Sequence, residues 1–169
     1  PKWTSLPAPC IAVLLGGDNR RYVVSAEMIE NMAEKLKKFA ASTGASLALI
    51  PSRRTPSILL SQLTESLKTT PHAVVNSEDE NPYPGILGHA VAIVVTSDSV
   101  NMASEAAITG KPVLIAEWQT EKGRIEAFHK AMMKAGHTAP LGTDIPKTTF
   151  IPLCEMPVIL GRVKNLLLR

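Results

Sequence analysis

Five short, unbroken apolar runs punctuate the chain: CIAVLL over 10–15, SLALI over 46–50, AVVN over 73–76, VAIVVT over 91–96 and PVLIA over 112–116. None alternates with polar residues, so each predicts a strand covered on both faces, as in a parallel sheet. Between the runs the apolar positions change to helical spacing. Over 25–42, Met28, Met32, Leu36, Phe39 and Ala40 share a face while Glu30, Glu34, Lys35, Lys37 and Lys38 lie on others, and Gly44 supplies a stop. Thr55-Pro56 reads as an N-cap followed by proline at the first helical position, opening a helix that buries Leu59, Leu60, Leu63 and Leu67.

Further helices are predicted over 84–89, over 99–109 with Ala103, Ala106 and Ala107 inward, and over 122–135 through Ile125, Phe128 and Met132, stopping at Gly136. A last one is predicted over 156–168 with Ile159, Val163, Leu166 and Leu167. The Thr- and Pro-rich stretch 136–153 reads as a loop with one short extra strand near 149–151. Strand and helix thus alternate along one domain spanning 1–169. That order predicts a three-layer α/β/α sandwich with a mostly parallel, doubly wound sheet and right-handed crossovers.

Composition changes this picture little. With 45% hydrophobic and 20% charged residues the chain has an ordinary globular balance. Aromatics make up only 4%, so the core is aliphatic and offers no platform for stacking bases. A net charge of +3 without a basic run suits a small anion and argues against nucleic acid. Cys10 and Cys154 lie far apart with no CxxC pair or metal-ligand spacing, so a reducing, cytoplasmic setting is expected, with no metal and no cofactor. No apolar run approaches the roughly 18 residues of a membrane span, and 10–15 is too short for a signal-peptide core. The chain opens on Pro1 rather than Met, which suggests processing or an excised domain.

Ligands of such sheets sit outside the carboxyl ends of the strands, so the loops there carry the candidate chemistry. After the first strand comes GGDNRRY, where Gly16 and Gly17 let backbone amides approach an anion and Arg20 and Arg21 add charge. A tight turn with solvated arginines is the alternative. After the second comes SRRTP, with Arg53 and Arg54 ahead of a helix N-terminus. Cations are unfavourable there by about 0.3–1 kcal/mol each unless an anion binds. The fullest signal is IVVTSDSVNMASEAAITGKPVLI, in which Ser97, Asp98, Ser99 and Asn101 crowd a strand-to-helix turn. Glu105 follows in an Ala-rich helix, where its two oxygens could accept from the hydroxyls of a ribose; an exposed surface glutamate is the plain alternative. Neither G-x-G-x-x-G nor G-x-x-x-x-G-K-[ST] occurs, and His72, His89, His129 and His137 show no triad or ligand spacing, so each reads as structural or superficial.

LLGGDNRRY, SRRTP, NPYPGILGHA and IVVTSDSVNMASEAAITGKPV together resemble the Elm-type mitochondrial fission family, over nearly the whole chain. The matching part is the carboxyl-terminal half of the usual family protein. That family is in turn similar to GT-B glycosyltransferases, which hold a nucleotide sugar between two Rossmann-like halves. The resemblance implies that Gly16 and Gly17 face the donor diphosphate, that 97–101 touch phosphate, and that Glu105 holds ribose. It further implies that 77–84 edges the base and that 156–168 crosses back toward the other half. The partner would be a nucleoside diphosphate or nucleotide sugar, with a second domain or another copy of the chain alongside. A domain alone would bind without turnover, and the other implied role is a non-catalytic scaffold or adaptor. Ser99 stands where lipid-linked muramoyl transferases carry Gly, and Val91 where the Elm-type pattern has an acid.

Overall fold

A computed structural model describes residues 5–18, 24–75, 82–118 and 123–154. Its six strands form one all-parallel sheet: β1 (Cys10–Leu15), β2 (Ser46–Pro51), β3 (His72–Val74), β4 (Ala92–Thr96), β5 (Val113–Ala116) and β6 (Ala139–Pro140). Between them run α1 (Ala26–Thr43), α2 (Ser57–Ser66), α3 (Tyr83–His89), α4 (Val100–Ile108) and α5 (Arg124–Lys134). The strand order is β3-β2-β1-β4-β5-β6. The three-layer α/β/α, Rossmann-like class expected from the alternation is therefore observed.

The two-residue period of a strand divides each apolar run between two cores. Ile11, Val13 and Leu15 of β1 and Ala92 and Val94 of β4 join α1 and α2 on one face. Ala12, Leu14, Ile93 and Val95 point to the other, where α3 and α4 lie. All of these strand residues are fully buried, which is why their segments read as continuous hydrophobic runs. Helix α1 buries Ile29, Met32, Ala33, Leu36, Phe39 and Ala40. Ser25 caps it by accepting from the Met28 amide, and Gly44 closes it at φ 64° with its N–H on the Ala40 carbonyl. The small faces of Ala103, Ala106 and Ala107 bring α4 close onto β4 and β5.

Two local expectations are corrected. Thr55 does not cap α2, whose N-cap is Pro56 without any side-chain bond. The Thr55 hydroxyl instead donates to the Leu15 and Gly16 carbonyls at 2.8 and 2.5 Å, tying the loop after β2 to the end of β1. The short sixth strand lies at Ala139–Pro140, beside Leu114 and Ile115, not near 149–151. That later segment follows the helix ends instead, with the Ile151 amide on the Gly136 carbonyl and the Leu153 amide on Ala107. The helix expected over 156–168 lies outside the described residues.

Candidate functional site at the topological switch point

Strand β1 continues to β2 on one side and borders β4 on the other, so the sheet order reverses between β1 and β4. The loops that leave these strands at their carboxyl ends meet at one residue. Asp98, whose side chain is fully shielded from solvent, accepts from the Thr96 hydroxyl at 2.7 Å and the Trp118 indole N–H at 3.1 Å through Oδ1. Its Oδ2 accepts from the Gly17 amide at 3.3 Å and the Arg54 guanidinium at 2.8 Å. The Thr96 hydroxyl in turn accepts from the Gly16 amide at 2.8 Å. A buried carboxylate is tolerable only with such a full set of donors.

This explains the glycine pair by space alone. A Cβ on Gly16 would fall 2.1 Å from both Asp98 oxygens, and one on Gly17 would fall 2.1 Å from the Arg54 carbonyl oxygen. In the structure the Gly17 amide approaches the chain's own Asp98 carboxylate, and the Gly16 amide the neutral Thr96 hydroxyl beside it.

Ser97 is buried as well. Its amide donates to the Ala116 carbonyl at 3.0 Å, and its hydroxyl accepts from the Trp118 amide at 3.3 Å. Its carbonyl accepts from His129 Nε2–H of α5 at 2.8 Å. The other ring nitrogen of His129 is buried and meets no hydrogen-bond partner among the described residues. Ser99 is the N-cap of α4, accepting from the Met102 amide at 3.3 Å. The leading amides of α4, at Val100 and Asn101, have no intrahelical acceptor and put the positive end of the helix dipole at the switch point.

Asn101 and Glu105 are exposed and, four residues apart, share a face of α4. Glu105 Oε2 accepts from the Tyr83 hydroxyl of α3 at 3.0 Å. Burial, reinforced by the hydrogen bond and the charge of Glu105, raises the Tyr83 phenol well above its ordinary pKa. Of the two arginines in the second loop, Arg54 reaches the hub and Arg53 is exposed with no ion pair among the described residues. Arg54 keeps 42% of its side chain in solvent, leaving part of the guanidinium facing outward. Arg20 and most of 77–84 lie outside the described residues.

The structure thus groups Gly16, Gly17, Ser97, Asp98 and Ser99 around one turn, with Asn101 and Glu105 farther along α4. Sequence reasoning missed Thr55, Trp118, Tyr83 and His129, and weighed Arg54 no higher than Arg53. Tyr83 had one local signal, an aromatic at the start of a predicted helix in NPYPGILGHA. The others are joined only in space. A separate apolar cavity of about 600 Å³, lined by Leu6, Cys10, Ile86 and Val91 among others, lies at the opposite edge, beside the first residues of β1 and β4. No helix among the described residues is long and apolar enough to cross a membrane.

A family model described as mitochondrial fission ELM1 matches residues 1–167. The chain is 30% identical over 136 residues to the mitochondrial fission protein ELM1 of Arabidopsis thaliana, covering 80% of this chain and 32% of that protein. It is 33% identical over 107 residues to the uncharacterized protein RP120 of Rickettsia prowazekii, covering 62% and 30% respectively. The chain therefore spans about a third of the length of these relatives. Among solved structures it is similar to a Listeria monocytogenes protein assigned as a UDP-N-acetylglucosamine 2-epimerase. The TM-score is 0.60 at 15% identity, over 100% of this chain and 39% of that one. At that identity the likeness speaks for the fold, a Rossmann-like half of GT-B type.

Proposed function

This chain belongs to the mitochondrial fission ELM1 family, and on that footing we propose that it is the nucleotide-diphosphate-sugar-binding half of a GT-B-like glycosyltransferase. One observation supports the reading: the head of α4 and the outward part of Arg54 lie at the carboxyl edge where the strand order reverses, with Glu105 exposed farther along the same helix. A helix N-terminus and a guanidinium suit a diphosphate. A carboxylate about a turn and a half farther along the same helix suits the hydroxyls of the attached ribose.

In the transfer, the bond from the sugar's anomeric carbon to the diphosphate oxygen breaks and its electron pair leaves on the diphosphate. The acceptor oxygen bonds to that carbon and gives up its proton to a base on the other half of the enzyme. This chain's contribution is to hold the leaving group: the α4 amides and Arg54 oppose the negative charge that grows there. Arg53 extends the same field, Asn101 offers an exposed amide beside the helix head, and Ser97, Ser99 and Asp98 keep the turn in shape. The chain alone then binds without turnover, as one half of a longer two-domain protein.

A second reading has its own observation. The Gly16 and Gly17 amides are already engaged by Thr96 and Asp98, as a fold retained for a non-catalytic adaptor would have them. Calorimetric titration with UDP, GDP, ADP and CMP separates the two. The transferase reading expects one of them to bind and Glu105→Ala to weaken it by about 1.5–3 kcal/mol, the range for hydrogen bonds to a charged group. A folded protein that binds none of the four favours the adaptor.

A further inference from the structure

We propose that Tyr83 is a positioning residue that presets Glu105 for a vicinal diol, and so makes this site distinguish ribonucleotides from their 2′-deoxy counterparts. The inference rests on the nucleotide-binding reading above and adds a specificity element to it.

Glu105 lies on the exposed side of α4, where a glutamate would ordinarily sample many rotamers. The Tyr83 hydroxyl removes that freedom by donating to Oε2 at 3.0 Å. Tyr83 can act as a fixed anchor because its ring packs against the core formed by α3, α4 and the sheet, while its hydroxyl stays at the surface. It is also a dependable donor: a phenol is protonated across the neutral range, and burial first and Glu105 second raise its pKa further.

An ionised carboxylate has about four acceptor positions, and Tyr83 takes one. At least two remain for the adjacent hydroxyls of a ribose, and the orientation needed to receive both is already set before a ligand arrives. A 2′-deoxy nucleotide supplies only one of those donors. Preset geometry therefore favours the diol more than the single hydroxyl, because only the diol needs both oxygens aligned at once.

The test is a titration of wild type, Tyr83→Phe, Glu105→Ala and the double variant with whichever nucleoside diphosphate binds, and with its 2′-deoxy form. Phe keeps the ring and its packing, and circular dichroism with a thermal melt verifies folding. Tyr83→Phe is expected to weaken the ribonucleotide by about threefold to tenfold, a typical loss for one hydrogen bond, and to reduce the ribo-to-deoxy affinity ratio by at least threefold. In the Glu105→Ala background the same change is expected to do nothing, since its only route is through the carboxylate. A loss of fold would not produce that pattern. An unchanged ratio in Tyr83→Phe, or an equal loss in both backgrounds, overturns the inference and leaves the binding reading standing. Absence of binding by wild type overturns both. If Tyr83→Phe does not fold, Tyr83→Leu in both backgrounds carries the test, with the same reduced ratio expected and an unchanged ratio or an equal loss in both backgrounds overturning it.

Discussion

Replacing Asp98 with Asn keeps the size of the side chain and takes away its charge and one acceptor oxygen. The consequence follows from its four bonds. If the new NH2 occupies the Oδ1 position, it faces the Trp118 indole N–H, while the Thr96 hydroxyl can turn to accept. If it occupies the Oδ2 position, it faces the Gly17 amide and Arg54. Either way one buried N–H is left without an acceptor, which costs about 1–3 kcal/mol, and a charge-assisted bond becomes a neutral one, about 1 kcal/mol more. Arg54 recovers part of its loss in water because 42% of its side chain is exposed, so its share is discounted. The expected destabilisation is about 3 kcal/mol. With a urea slope of about 2 kcal/mol/M for a domain of this size, the unfolding midpoint falls by about 1.5 M. Far-ultraviolet circular dichroism and tryptophan emission should report the same transition, since Trp118 touches the altered group. A midpoint shift under about 0.25 M, the size expected of an ordinary surface substitution, refutes the view that this carboxylate organises the edge of the sheet.

Gly17→Ala places a methyl 2.1 Å from the Arg54 carbonyl oxygen, and backbone there cannot swing aside as a side-chain tip would. A loss of at least the 1–3 kcal/mol typical of overpacking is expected in the same urea assay, and a wild-type midpoint would show that the loop is looser than described. Thiol labelling should be biphasic, because Cys154 is exposed and Cys10 is half-buried. Burial raises the Cys10 pKa above its ordinary value, so its folded-state stabilisation is complete below that ordinary value and fades as pH rises through the raised one. Stability above about pH 9 should accordingly fall less steeply in Cys10→Ala, and identical slopes would contradict the assignment.

Legibility followed the range of the interactions. The β1 run was readable with the bounds found, Cys10–Leu15, because burial on both faces leaves an unbroken apolar stretch in the sequence itself. β3 was read as 73–76 and is His72–Val74, a short edge strand with only partial burial to mark it. The glycine pair was recognisable as a place of close approach, but what comes close is Asp98, 81 positions away from Gly17. No local pattern encodes that partner. Arg53 and Arg54 are the same residue type side by side, and the choice between them is made by the turn that binds Ser52 to Thr55 at 2.9 Å. Likewise Thr55-Pro56 has the letters of a helix cap, and tertiary acceptors at Leu15 and Gly16 claim the hydroxyl first.

The Asp98 hub also has a kinetic meaning. The loops after β1, β2 and β5 and the last residue of β4 all place a donor on the one carboxylate of the loop after β4, so none of these loops can swing away without breaking a bond to it. A molecule arriving at this edge meets these tied residues already in place. Association should then proceed in a single phase whose rate tracks concentration and ionic strength, with residence time left to the contacts made afterwards. A slower phase would then report a body moving against these tied residues as a whole.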